Sequence, residues 1–168
     1  VNGAYFSTGQ RCTASSRLIV TDDIHDRFVA RMIERLQALR VGHALAPETE
    51  IGPVAHQAQL DKNLAYVEIA RAEGATLACG GQRLSRDTPG WYQAPALFTQ
   101  TDNAMRINRE EVFGPLATVI RARDYDHALA LANDTDFGLC AGICTTIPLP
   151  EPKPPAETEP PLVPARPA

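Results

Sequence analysis

Two stretches of the chain carry apolar residues at the three- and four-residue steps of an amphipathic helix. In the first stretch these residues are Ile24, Phe28, Met32, Leu36 and Leu39. Asp22 and Asp23 precede them, and we expect these aspartates to supply the N-cap and a favourable first-turn charge. The second stretch runs from about Gln57 to Glu73, and Gly74 is expected to end it as a C-cap. The pattern predicts two helices, separated by a loop rich in proline and glycine.

Short apolar runs outside these helices predict β-strands. We expect strands over 15–20, 75–79, 96–99, 116–120 and 137–146. A third helix is predicted between the last two strands, with Asp124 as its N-cap and Asn133 as a left-handed terminator. Strands that alternate with helices favour an α/β fold, with a parallel-type sheet and flanking helices.

The composition places the chain among globular proteins. Its 168 residues are 44% hydrophobic and 21% charged, which suits a single domain. The net charge of −4 comes with no basic stripe that could neutralise phosphates, so we expect no nucleic-acid partner. No apolar run approaches the roughly 18 residues of a membrane span, and no secretory leader pattern is present. We therefore expect a cytoplasmic protein with no membrane partner. Because the chain begins at Val1 without a methionine, we also expect a fragment.

Proline dominates the last part of the chain, where nine of residues 147–168 are proline and five are charged. Such a segment buries too little apolar surface to offset the entropy lost on ordering. We expect it to be disordered, with polyproline II character. The predicted organisation is a folded unit over 1–146, followed by a disordered Pro-rich tail over 147–168.

Four cysteines occur, at positions 12, 79, 140 and 144, and their spacing matches no zinc pattern. We expect no metal site and no disulfide framework. Cys140 and Cys144 fall on the predicted last strand and are expected to pack inside the sheet. Cys12 differs because it lies in a polar segment beside Arg11. A neighbouring cation and free backbone N–H groups favour a thiolate, so Cys12 is the candidate nucleophile.

Three motifs, in order along the chain, are similar to landmarks of one enzyme family. They are Gly9-Gln10-Arg11-Cys12-Thr13-Ala14, Glu111-Val112-Phe113-Gly114-Pro115 and Asn133-Asp134-Thr135-Asp136-Phe137-Gly138-Leu139. The first resembles the catalytic cysteine signature of the aldehyde dehydrogenase superfamily, and the second its E-x-F-G-P motif. The third resembles its asparagine landmark, which precedes an aromatic-Gly-Leu triplet. Residues 1–146 thus resemble the catalytic domain of this superfamily, truncated at both ends. Segments 10–20, 94–98 and 103–107 look most like bacterial 2,5-dioxovalerate (α-ketoglutaric semialdehyde) dehydrogenases.

The resemblance implies an oxidoreductase that oxidises a small-molecule aldehyde to a carboxylate with NAD or NADP. It gives Cys12 the role of the nucleophile that forms a thiohemiacetal and then a thioester. It assigns Glu111 to the ribose hydroxyls of the nicotinamide nucleotide, and Phe113 to the wall beside the nicotinamide. A homo-oligomer is expected for the full-length family.

The resemblance also implies parts that lie outside this chain. The family's water-activating glutamate, its oxyanion asparagine and most of its cofactor domain would precede Val1, so we expect the chain to be inactive alone. Two alternatives stay open. One is a non-catalytic truncated product or interaction fragment. The other is a cysteine hydrolase that pairs Cys12 with a histidine, namely His25, His43, His56 or His127.

Overall fold

The computed structural model describes residues 1–145. The predicted tail over 147–168, and the last residue of the predicted final strand, lie outside the described residues. In chain order the elements are α1 (Asn2–Tyr5), a 3-10 helix (Phe6–Gly9), β1 (Arg17–Thr21), α2 (Asp22–Gln37), α3 (Gln57–Ala72), β2 (Thr76–Cys79), β3 (Ala96–Thr99), α4 (Arg106–Arg109), β4 (Leu116–Ala122) and α5 (Tyr125–Asn133).

These four strands form one sheet in the order β1-β4-β3-β2. β1 and β3 each pair with β4 in parallel, whereas β2 pairs with β3 antiparallel. β3 and β4 lie at the centre, and nearly all of their residues are buried, as expected for strands covered on both faces. The predicted α/β fold with a mostly parallel sheet is confirmed, and the edge strand β2 is the antiparallel exception.

Helices cover both faces of the sheet. One core cluster joins α2 to alternate strand positions and includes Met32, Leu36, Leu97 and Val119. The other cluster joins α3 and α4 to the intervening positions and includes Val67, Ala70, Phe98 and Leu116. Successive side chains of a strand point to opposite faces, so the sheet is the middle layer of three.

The predicted helices are confirmed in position, but one cap differs. The N-cap of α2 is Thr21, whose side chain makes no capping hydrogen bond. Asp22 and Asp23 lie inside the first turn, where their charge favours the helix dipole. The aspartate N-cap was a wrong prediction, because β1 runs straight into the helix and its last residue takes the cap position. Asp124 caps α5 as predicted, and Gly74 follows α3 in the left-handed conformation with φ of 98°.

The end of the described chain differs from its prediction. Residues 137–145 form no strand and are exposed throughout. Cys140 and Cys144 are therefore exposed, and the prediction that they pack inside a sheet is wrong. Apolar composition leads to a strand only where a neighbour can pair with it, and no strand among residues 1–145 pairs with this segment. Asn133 is the last residue of α5 and is not left-handed; Asp134 follows it with φ of −80°.

Candidate active site

Cys12 lies at the tip of a tight turn that precedes β1. The turn runs from Arg11 to Ala14, and the Ala14 amide donates to the Arg11 carbonyl at 2.9 Å. Cys12 occupies the second position of the turn, and its side chain is exposed. Within residues 1–145, neither its thiol nor its backbone N–H takes part in a hydrogen bond. Both groups are therefore available to a small molecule.

Long-range hydrogen bonds hold the segment before Cys12 in place. Tyr5 is fully buried, and its hydroxyl donates to the Ala96 carbonyl in β3 at 2.9 Å. Burial raises the pKa of this hydroxyl well above its usual value, so it stays protonated as a donor. Nearer the turn, the Gln10 side-chain oxygen accepts from the Ala55 amide at 3.0 Å. The turn is thus tied to the sheet and to the loop that precedes α3.

The backbone is left-handed over three successive residues before the turn. Ser7, Thr8 and Gly9 have φ of 56°, 60° and 64°. The two residues other than glycine adopt this conformation at a cost in free energy, which other contacts must offset. One such contact is the Thr8 hydroxyl, which is buried and donates to the Gly52 carbonyl at 3.3 Å. The left-handed run brings the backbone of Gly9 against the loop that carries Glu111.

Arg11 is next to Cys12 in the sequence, but its side chain contacts α1. Its guanidinium donates to the carbonyls of Asn2 and Gly3, at 3.1 and 3.4 Å. Within residues 1–145, no hydrogen bond links this cation to the Cys12 sulfur. The guanidinium therefore positions the turn against α1, and these contacts do not pair it with the thiol.

The loop that carries Glu111 packs directly on the cysteine segment. It connects α4 to β4 and includes Gly114, whose backbone meets that of Gly9. A Cβ atom added to Gly9 would lie 2.1 Å from the Gly114 carbonyl oxygen. Only glycine fits so close an approach at a positive φ. The fold therefore brings two motifs together that are about a hundred residues apart in the sequence.

Three side chains of α3 hold this loop from the other side. Gln59 donates to the Val112 carbonyl and Lys62 to the Glu111 carbonyl, both at 2.8 Å. Asn63 is fully buried, and a Cβ atom on Gly114 would lie 2.4 Å from its amide nitrogen.

None of these three α3 residues was identified from the sequence. A signal was present for Asn63, because this polar residue falls on the apolar stripe formed by Leu60, Leu64 and Val67. Gln59 and Lys62 act through backbone carbonyls of a distant loop, which no local pattern reveals.

Glu111 and its neighbour Glu110 differ in their surroundings. Glu110 accepts from the Arg106 guanidinium at 2.9 Å and from the Tyr66 hydroxyl. Arg106 first, and then Tyr66, lowers the pKa of this carboxyl from 4.5 to about 2. The Glu111 side chain is exposed and forms no hydrogen bond within residues 1–145, so its carboxylate is available to a ligand. Phe113 is half-buried and left-handed, with φ of 63°.

The third motif leads into a segment that contacts the cysteine turn. Asp134 is fixed by Arg109, which donates to its carboxylate at 2.6 Å, and by Asn103, which donates at 2.8 Å. Beyond it the chain passes the cysteine turn, where the Cys140 sulfur lies 3.9 Å from the Thr13 carbonyl oxygen. The segment that directly follows the third motif thus contacts the cysteine turn.

The four histidines are engaged elsewhere. The ring of His25 pairs with Asp26 at 2.9 Å, and the rings of the other three accept hydrogen bonds from backbone amides near their own positions. No hydrogen bond joins any of them to Cys12 in the described chain. The geometry therefore gives no support to a Cys-His hydrolase pair.

Residues 1–145 contain neither a metal-binding cluster nor a helix that could span a membrane. No group of three or more His, Cys, Asp or Glu side chains is arranged to hold a metal ion. None of the helices described there combines the length and apolar character that crossing a bilayer requires.

Comparison with known proteins points to one family. The sequence profile of the aldehyde dehydrogenase family matches residues 1–148. The chain is 44% identical to betaine aldehyde dehydrogenase of Brucella anthropi, over 145 residues that cover 85% of this chain and 30% of that protein. It is 45% identical to alpha-ketoglutarate semialdehyde dehydrogenase of Haloferax volcanii, over 146 residues that cover 86% and 30%.

Solved structures give the same result. Betaine aldehyde dehydrogenase of Staphylococcus aureus, solved in complex with NAD+, superposes with a TM-score of 0.79 and 41% identity. The match covers 82% of this chain and 28% of that one. HpcC of Thermus thermophilus superposes with a TM-score of 0.78 and 44% identity, over the same shares. The chain spans about 30% of the length of the curated relatives that it matches.

Proposed function

Because this chain belongs to the aldehyde dehydrogenase family, we propose that it supplies the nucleophile and part of the cofactor site of an enzyme that oxidises an aldehyde to a carboxylate with NAD(P). We take residues 1–146 as the catalytic-domain unit. The observation that carries the proposal is the close approach of Gly9, which precedes the cysteine turn, to Gly114 in the Glu111 loop. It places an exposed thiol and an exposed carboxylate on loops that pack against each other.

Cys12 is the proposed nucleophile. Its thiolate sulfur bonds to the aldehyde carbon, and the carbonyl electron pair moves to oxygen, which gives a thiohemiacetal. The Cys12 backbone N–H makes no hydrogen bond within residues 1–145, so it is available to stabilise the charge that develops on that oxygen. After oxidation to a thioester, water adds to the acyl carbon, the C–S bond breaks, and the carboxylate leaves with the thiol restored.

Glu111 and Phe113 are the proposed cofactor contacts. The Glu111 carboxylate is exposed and unpaired within residues 1–145, so its two oxygens are free to accept from the hydroxyls of a ribose. Lys62 holds the Glu111 backbone, and the half-buried Phe113 provides a wall on the same loop. These residues would hold the nicotinamide end of NAD(P), which would supply the hydride acceptor for oxidation of the thiohemiacetal.

We propose α-ketoglutaric semialdehyde as the aldehyde, on the basis of the sequence segments that resemble that subfamily and of the Haloferax volcanii relative. Betaine aldehyde is the competing substrate, since the Brucella anthropi enzyme is similarly identical. The two compounds differ in charge, because the first carries a carboxylate and the second a quaternary ammonium. A direct comparison of the two is therefore decisive.

Protection of thiols from alkylation tests the nucleophile and the substrate together. The 168-residue chain is treated with iodoacetamide, with and without each aldehyde, and labelling of each cysteine is followed by mass spectrometry. At ten times its dissociation constant, the substrate should slow labelling of Cys12 about tenfold. Cys144 is also exposed and is the internal control, whose labelling rate should not change. Equal labelling of Cys12 with and without both aldehydes would refute the proposal.

Complete turnover requires more than a nucleophile and cofactor contacts. The proposed roles of the described residues include no general base for the hydrolytic water, so we expect the chain alone to show no aldehyde-dependent NADH formation. Absorbance at the NADH band measures this directly. NADH formation that Cys12→Ser abolishes would show that the chain alone is sufficient for turnover.

A second candidate, an interaction fragment, is favoured by one observation. Phe137, Leu139 and Ile143 are 56, 70 and 54% exposed and close together in the sequence, and no strand among residues 1–145 covers them. Exposed apolar patches of this kind mark association surfaces. Size-exclusion chromatography and hydrophobic-dye binding, compared between the chain and a Phe137→Ser/Leu139→Ser variant, test this reading. An unchanged elution volume and dye signal would refute it.

A further inference from the structure

Cys12 and Cys140 lie on two segments that contact each other, although these segments are at opposite ends of the described chain. The Cys140 sulfur is 3.9 Å from the carbonyl oxygen of Thr13, the residue that follows Cys12. Both thiols are exposed, so each is accessible to a small oxidant. The Cys140 thiol therefore contacts the residue that follows the proposed nucleophile in the sequence.

The segment that carries Cys140 follows an anchored residue and has no regular secondary structure. Arg109 and Asn103 fix Asp134 at the end of α5. From there residues 137–145 are exposed and form no strand. Within the described chain, no strand pairing has to break for Cys140 to approach Cys12.

The other two cysteines lack this arrangement. Cys79 lies in β2 and is half-buried, and burial raises the pKa of its thiol. Cys144 is exposed but makes no hydrogen bond within residues 1–145. Within residues 1–145, Cys140 is the cysteine whose thiol has a hydrogen-bond contact with the cysteine turn.

We propose that Cys140 is the resolving thiol of Cys12, so that a hydroperoxide converts the pair into a reversible disulfide. The inference rests on the proposed function, since the disulfide would block the aldehyde-binding nucleophile. It adds to that function a modification site and a form of redox control.

The disulfide forms in two steps. The Cys12 thiolate attacks the outer oxygen of the hydroperoxide, the O–O bond breaks, and the alkoxide or hydroxide leaves and takes up a proton. Sulfur is thereby oxidised to a sulfenic acid. The Cys140 thiolate then attacks this sulfur, the S–O bond breaks, and hydroxide leaves as water after protonation. Two thiols are oxidised and one peroxide is reduced; a dithiol reductant reverses the change.

Peptide mapping of the oxidised chain tests the proposal. The 168-residue chain is treated with hydrogen peroxide at low protein concentration, the remaining thiols are alkylated, and the tryptic peptides are analysed without reduction. The expected product is a monomer in which the Cys12 peptide is linked to that of Cys140, and dithiothreitol should release it. Cys140 and Cys144 share one tryptic peptide, so the Cys144→Ser variant assigns the link.

Two serine variants show which cysteine is linked to Cys12. Cys144→Ser should form the linked peptide as fully as the wild type. Cys140→Ser should not form it, and its Cys12 should proceed to the sulfinic acid instead. A link that persists in Cys140→Ser, or that joins two chains, would overturn the proposal, as would the absence of any link in the wild type. The aldehyde-protection experiment has a different readout, so failure of the disulfide and failure of the proposed function can be told apart.

Discussion

Gly9 and Gly114 are in backbone contact so close that a Cβ atom at Gly9 would lie 2.1 Å from the Gly114 carbonyl oxygen. On its other side, Gly114 lies against Asn63, whose amide nitrogen would be 2.4 Å from a Cβ on that glycine. The cysteine segment, the Glu111 loop and α3 are therefore stacked through two positions that exclude a side chain. This stack joins the proposed nucleophile to the proposed cofactor contact.

Gly9→Ala is expected to destabilise the protein by about 2–4 kcal/mol, because the methyl group meets backbone atoms and φ is positive. Urea unfolding followed by circular dichroism measures the change. Gly138→Ala is the matched control, since no atom lies within 4 Å of a Cβ there; we expect a change within about 0.5 kcal/mol. Equal stability of the two variants would contradict the close approach.

Asn63→Leu should lower the free energy of unfolding by about 2–4 kcal/mol, because buried amides lose their partners. Asn63 donates to the Gln93 side-chain oxygen at 3.0 Å and accepts from Gln59 at 2.8 Å. Hydrogen exchange should show the Val112 region losing protection while the centre of β4 keeps it. Glu68→Gln, on the exposed face of α3, is the control and should leave the exchange unchanged.

Removing the Glu110 carboxylate should change how stability depends on pH. Its pKa is lowered from 4.5 to about 2, first by Arg106 and then by Tyr66. Because the folded-state pKa is below the unfolded one, the stabilisation is complete above about pH 4.5 and is lost as the pH falls towards 2. The stability difference between wild type and Glu110→Gln should therefore shrink over that interval in urea unfolding.

Arg106 provides the control for the pH experiment. In an Arg106→Gln background the largest cause of the lowered Glu110 pKa is absent. The loss of unfolding free energy caused by Glu110→Gln should therefore depend less on pH. A dependence of the same size in both backgrounds would show that the Arg106 guanidinium is not the cause.

Arg17→Met should release α5 from the sheet. Arg17 donates to the carbonyls of Leu131 and Ala132 at 2.9 and 3.2 Å, and α5 has no buried residue of its own. Hydrogen bonds from a charged donor contribute about 1.5–3 kcal/mol, so exchange of the α5 amides should accelerate roughly ten- to a hundredfold. Arg123→Met, just before the same helix, is the control. Protection that survives Arg17→Met would contradict this role.

Most local elements and all three motifs could be predicted from the sequence alone. The apolar periods of α2 and α3, and the Asp124 cap of α5, each depend on residues within a few positions of one another. The same holds for the three motifs, since each is a contiguous run that can be matched without knowing its neighbours in space. Cys12, Glu111 and Phe113 could therefore be selected before any contact was known.

The contacts between these segments could be known from the tertiary structure alone. Gly9 meets Gly114, and Asn63 meets both Gln93 and the loop, because the sheet order places distant segments side by side. The same reason explains why the strand predicted over 137–146 is absent from the described residues and why Cys140 and Cys144 are exposed. An apolar run predicts a strand, but pairing partners are set by the whole fold, and residues 137–145 have none among residues 1–145. That outcome exposes Cys140 and leaves it beside the cysteine turn.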